Sequence, residues 1–283
     1  PSTVSVDELQ WNVTKIQNEG GVLRLGPGTF NLAANITFTP LKKTPFFIIA
    51  QGRYKTTIKF IGNYGFRGSG IAHLVMEGMT ITSDQAKFTT SSEAIQITGS
   101  SSYLRFFDIF VEEPFDTGMD FQDVYQVTVD HCWLESGRGI VAQKVNTDQA
   151  AQYYIVDNQF NADNGIIGLD IMTGGEILVA RNYLGNYLSN GGVTPISIAA
   201  MRLRGVDSAT LLANSFESNG DVLSAIPADI ILTRDTSSAN CGTINLIGNK
   251  MVRAAGNAHI FIDAEYVNNL NVHHTSINGD GSM

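Results

Sequence analysis

Val156-Asp157-Asn158-Gln159-Phe160, Ala180-Arg181-Asn182-Tyr183-Leu184, Leu212-Ala213-Asn214-Ser215-Phe216 and Ile247-Gly248-Asn249-Lys250-Met251 share one frame. In each, an alternating apolar strand ends, an asparagine follows at a fixed place, and one spacer later comes a bulky apolar side chain. Looser copies set Gly78, Asp108, His131 and His274 at the asparagine position. The intervals from 78 to 108, 131, 158, 182, 214, 249 and 274 are 30, 23, 27, 24, 32, 35 and 25 residues. A period in this range marks a solenoid, where each repeat buries its apolar face only by stacking on the next.

Around this frame the chain reads as short strands. Runs of Val, Ile, Leu, Phe and Tyr alternate with polar residues and break at Gly, Asn, Asp and Ser. A second strand often opens on glycine, as in Gly118-Met119-Asp120-Phe121, Gly139-Ile140-Val141-Ala142 and Gly168-Leu169-Asp170-Ile171. Equivalent strands of successive coils then pair in parallel about 4.8 Å apart. A column of asparagines at the bend would satisfy backbone groups that would otherwise be orphaned. Unequal intervals place loops of differing length at 84–93, 185–198 and 218–228.

Only the first 25 residues read as helix. Ser5 and Glu8 form a capping box, Val6, Leu9, Val13 and Ile16 make one apolar stripe, and Gly20-Gly21 ends it. The chain is therefore expected to be all-β and a single domain over 1–283, with a capping helix and first strand at 1–25 and coils over 26–283.

Composition narrows the partners. Of 283 residues only 16% are charged, against about 25% in ordinary proteins. Lys and Arg number 18 and Asp and Glu 27, a formal charge of -9 that disfavours nucleic acid and anionic membranes. No apolar run approaches the roughly 18 residues of a membrane span. Cys132 and Cys241 are too few for a disulfide framework or a four-ligand zinc site.

The opening helix, Gly20-Gly21, the strand Val22-Leu23-Arg24-Leu25 and Gly26-Pro27-Gly28-Thr29-Phe30 resemble the first segment of the right-handed parallel β-helix superfamily, which includes pectate lyases and phage tailspikes. The resemblance spans nearly the whole chain, and it implies a single-stranded right-handed parallel β-helix whose open end the helix closes. It also implies a polysaccharide partner, an extracellular or virion-surface location, and packing as a parallel homotrimer. Thr128 to Leu134 is similar to the pectate-lyase segment whose aspartate binds Ca²⁺, which would make Asp130 a ligand. That family's arginine-proline segment has no counterpart, because none of the seven prolines follows an arginine by two residues. Asn146-Thr147-Asp148 is similar to the first polygalacturonase motif, without the partners that normally follow it.

Two rows of outward residues carry the chemistry. The residue before each ladder position gives Glu77, Phe107, Asp130, Asp157, Arg181, Ala213, Gly248 and His273. Here Asp130 and Asp157 would be neighbours about 5 Å apart with Arg181 one coil beyond. Close carboxylates share a proton, bind a cation such as Ca²⁺, or are held ionised by the arginine. With Phe107 they make a substrate-binding set. His131, at the ladder position, is expected to be a buried imidazole.

The second row is Gln96, Asp120, Val141, Asp170 and Arg202. Asp120 and Asp170 stand two coils apart, about 9.6 Å, near the roughly 6.5–9.5 Å of inverting glycosidases. Arg202 would keep Asp170 ionised as base and leave Asp120 as acid. No cofactor is required, and Ca²⁺ is the one ion the pattern admits.

Tyr103, Phe107, Phe110, Tyr125 and Trp133 cluster near these carboxylates, with Phe110 and Trp133 expected in the core. Ile155, Val179, Leu211 and Leu246, three residues before each asparagine, are expected to face outward, either as a trimer contact or beneath a long loop of the same chain. The expected function is polysaccharide binding with degradation by a glycoside hydrolase or polysaccharide lyase. The alternative is a non-catalytic structural or adhesive β-helix, such as a virion decoration or surface adhesin.

Overall fold

The computed structural model describes residues 5–41, 43–85, 92–145, 151–161, 165–172, 175–185, 199–217, 228–237, 239–252 and 260–278. The expected corner loops fall largely outside these residues, and Asn146-Thr147-Asp148 entirely so. The described chain is one helix followed by short strands wound into a right-handed parallel β-helix. One sheet stacks nine strands, among them Glu93–Thr98, Thr117–Gln122, Arg138–Gln143, Ile167–Met172 and Ala199–Arg204. The other, of 18 strands, carries both legs of the asparagine bend, such as Ala151–Val156 and Gln159–Asn161.

Register is exact from coil to coil, so like side chains form columns. Val129, Ile155, Val179, Leu211 and Leu246 stack inside, as do Leu134, Phe160, Leu184, Phe216 and Met251. Large and small residues alternate where space demands it: Ala142 sits between Phe121 and Ile171. Glycine opens strands where no β-carbon fits. At Gly139 one would meet the Gly168 carbonyl oxygen at 2.4 Å and the buried Phe160 ring at 2.6 Å.

Asn158, Asn182, Asn214 and Asn249 are 3% exposed or less and form the expected column. Each side-chain oxygen accepts the backbone N–H of the preceding coil, from Cys132 to Asn158 (2.8 Å), Asn158 to Asn182 (2.9 Å), Asn182 to Asn214 (3.0 Å) and Asn214 to Asn249 (3.0 Å). Each amide nitrogen donates to a core-strand carbonyl of the coil before it: Val129, Ile155, Val179 and Leu211 at 2.8 to 2.9 Å. The residue before each asparagine adopts the left-handed conformation, which turns the chain.

That left-handed residue corrects two expectations. Gly78, Asp108, His131 and His274 stand in the left-handed row with Asp157, Arg181, Ala213 and Gly248, at φ between 50° and 73°. The ladder position in the early coils is Met79, Ile109 and Cys132. His131 is therefore exposed rather than buried, and Phe110 and Trp133 lie on the outer face, stacked at 4.9 Å. The bend also adds a residue to the alternation, so Val156 and Asp157 are both part-exposed while Ile155 and Asn158 are buried. Ile155, Val179, Leu211 and Leu246 are fully buried. They belong to the core and offer no surface to a second copy.

The helix Val6–Glu19 closes the first coil. Ser5 accepts the Glu8 N–H at 3.1 Å, and Leu9 and Val13 are buried with Val6 and Ile16 packed beside them. Gln10 brackets the edge strand by accepting from the Thr37 N–H (2.7 Å) and donating to its carbonyl (2.9 Å). Gln17, 2% exposed, accepts the Thr39 N–H. These amides satisfy an edge that would otherwise invite another strand.

Asn182→Ala should lower stability by about 3 kcal/mol or more, since it orphans several buried groups at once. Ala213→Gly should raise it by up to about 1 kcal/mol by relieving a left-handed residue with a β-carbon. Thermal or denaturant unfolding checks both.

Candidate functional site

The nine-stranded sheet carries the row Arg67, Gln96, Asp120, Val141, Asp170, Arg202 and Ile231 in unbroken register. Its two carboxyl groups have opposite surroundings. Asp120 is 6% exposed, and Oδ2 accepts the amides of Gln96 (2.9 Å) and Gln122 (2.8 Å). Its Oδ1 is buried with no hydrogen-bond partner. Burial pushes this carboxyl above the ordinary value of 3.8, against the opposing pull of the two amides, Arg67 and Arg138. Arg67 pairs with Glu93 at 3.1 Å, and burial raises that carboxyl too.

Asp170, 3% exposed, is held by two guanidinium groups. Arg202 donates to Oδ1 at 3.1 Å and Oδ2 at 2.6 Å, and Arg204 to the same oxygens at 3.1 and 3.0 Å. These four charge-assisted bonds use about all the lone pairs a carboxylate has. Val141 lies between the two aspartates in the column and is itself 3% exposed. Gln122 and Arg204 were not singled out by sequence. Each lies two residues beyond a chosen one on the same strand, where period-two alternation puts it on the same face.

The second group lies along the bend. Asp130 aligns with Val156 rather than Asp157, one place from the expected register. Even so, ligand atoms of Asp130, His131 and Asp157 lie within 4.8 Å of one another. The His131 Nδ1 is 2.5 Å from Asp130 Oδ1, and Arg181 binds both Asp157 oxygens, at 2.7 and 2.5 Å. The Arg181 hydrogen bond holds the Asp157 carboxyl below its ordinary value, partly offset by desolvation and helped by the charges of Arg181 and His131. Arg105 lies 3.8 Å from Asp130 and over the Phe107 ring, which in turn sits 5.5 Å from the His131 ring. The ridge thus closes on itself as exposed ion pairs, which contribute little to stability. Two carboxylates and an imidazole suit zinc-class metals, whereas Ca²⁺ takes six to eight oxygens. Calcium does not fit this donor set.

No protein-family model matches the chain, and a search of curated proteins finds no match. Among solved structures, the protein titled Geobacillus virus E2 - ORF18 superposes with a TM-score of 0.56 at 13% identity, over 99% of this chain and 59% of that one. A pectate lyase, Pel9A, aligns at 14% identity and a TM-score of 0.47 over 90% of this chain and 72% of that one. The Dettilon tailspike protein aligns at 10% identity and a TM-score of 0.36, over 96% and 65%. This chain spans about three fifths of the Geobacillus virus protein. At these identities the likeness is one of fold.

Because its native pKa is raised, Asp120 binds its proton more tightly folded than unfolded. Wild-type stability should fall as pH climbs through the window above 3.8, and Asp120→Asn should not show that loss. Melting temperatures of the two proteins should therefore diverge in favour of the variant as pH rises above 3.8, whatever their offset in acid.

Proposed function

We propose that this protein binds a polysaccharide and cuts it by hydrolysis, working outside cells or on a virion surface. The asymmetry of Asp120 and Asp170 carries this reading. Their Cα atoms stand in one column about 9.6 Å apart, two strand spacings, with one carboxyl pushed toward its neutral form and the other gripped by cations. With Oδ2 accepting two amides, a protonated Asp120 holds its proton on the unpartnered Oδ1. Once the side chain has turned outward to the sugar, that proton passes to the leaving glycosidic oxygen as the anomeric C–O bond breaks. Water attacks the anomeric carbon from the opposite face, and Asp170 takes the water's proton once Arg202 or Arg204 has turned to the sugar. The arginines thus serve in substrate binding, and Asp130, Asp157, Arg181 and Phe107, on the other sheet, would offer a separate set of contacts to a long chain.

A second reading, a non-catalytic adhesive or virion-decorating β-helix, rests on the burial of the same two aspartates and the saturated state of Asp170. The two separate on a panel of capsular and plant polysaccharides, followed by viscosity and by the ultraviolet absorbance of unsaturated products. Hydrolysis should lower viscosity without raising absorbance, and Asp120→Asn should slow it by roughly 10²–10⁴-fold. Undiminished cutting by that variant removes Asp120 as the acid. Rising absorbance means elimination and overturns the hydrolytic assignment. Binding without cutting favours the adhesive reading.

A further inference from the structure

The outer face of the long sheet holds a cavity of about 230 Å³ lined by Tyr154, Glu176, Ile177, Leu178, Ser208 and Thr210. It lies over three successive coils. Tyr154, Leu178 and Thr210 form one column, and Glu176 and Ser208 the column beside it, so polar groups recur at strand spacing. The register places it on a different sheet from Asp120 and Asp170.

We infer that this cavity is a binding subsite for one pyranose ring that carries no acidic group. Four observations lead there. Tyr154 is 42% exposed and stacks on no other ring among the described residues, whereas Phe110 with Trp133, His73 with Tyr103 and Phe107 with His131 already face one another. An unstacked phenol with an apolar neighbour, Leu178, offers an amphipathic wall suited to a sugar's C–H face. Glu176 is exposed and has no ion-pair or hydrogen-bond partner among the described residues, so its carboxylate is free to accept two hydroxyl protons or pair with a sugar ammonium. Ser208 and Thr210 supply hydroxyls that both donate and accept. No Lys or Arg lines the cavity, and with a net charge of -9 a uronate or phosphate is repelled. The volume lies below the roughly 300–1,000 Å³ of drug-sized pockets, which limits the occupant to about a single ring.

The inference rests on the polysaccharide reading, and its test keeps the two apart. Wild-type protein is screened on an array of neutral, amino-sugar and uronic-acid oligosaccharides. The oligosaccharide retained is titrated calorimetrically into wild type, Tyr154→Ala, Glu176→Gln and the control Trp11→Ala, an exposed aromatic on the capping helix. Tyr154→Ala should weaken binding about tenfold and Glu176→Gln roughly fivefold, with Trp11→Ala unchanged and uronic-acid sugars not retained. Tyr154 points outward, so the variant should melt as wild type does. Equal binding by Tyr154→Ala and wild type overturns the cavity while leaving the polysaccharide reading in place. Retention of uronic-acid sugars that depends on Tyr154 overturns the assigned sugar class. If the array retains nothing, the polysaccharide reading fails and this subsite with it.

Discussion

The buried asparagine at the bend is the contact on which the rest depends. A parallel coil has to turn sharply, and here one left-handed residue before each asparagine does so at a cost of roughly 1–2 kcal/mol where it carries a β-carbon. The turn strands peptide groups away from solvent. Each asparagine answers this by accepting the N–H of the coil before it and donating to the carbonyl of a core strand there. A shift of one residue would break both bonds, so the amide column fixes register through the later coils.

Fixed register gives the surface its order. Outward side chains recur at strand spacing, and charged residues of one column on adjacent coils become neighbours. This produces ion pairs readily, so proximity alone does not identify chemistry. The surroundings differ instead. Asp157 is part-exposed, and its arginine partner holds its carboxyl low. Asp120 is buried among amides with one oxygen unpartnered, and desolvation pushes its carboxyl high. The first is a closed surface pair, whereas the second is a buried carboxyl shifted toward its neutral form.

The early coils lack the amide and fill the same column with Met79, Ile109 and Cys132. Apolar packing replaces hydrogen bonding there, and burial pushes the Cys132 thiol up to about 12, so it is an inert core group. Its backbone N–H still donates to Asn158, which joins the apolar and amide parts of the column.

Sequence by itself determined the solenoid, the capping helix, the four-asparagine column and the row from Gln96 to Arg202, because the helix carries its own cap and stripe, the asparagine recurs in one fixed frame, and the row lies in strands without a bend. The alignment of the early coils was not legible. Asn, Asp, His and Gly are favoured both at a left-handed bend and as small polar ladder groups, so His131 and Asp108 fitted either of two adjacent places. Only the tertiary structure decided between them, since the choice depends on which residue meets the coil above. The same holds for Ile155, Val179, Leu211 and Leu246: counting by twos through the bend puts them outside, and the extra left-handed residue turns them in. The different surroundings of Asp120 and Asp170 were likewise a tertiary matter in their detail, set by burial and by Gln122 and Arg204, each two residues along the same strand.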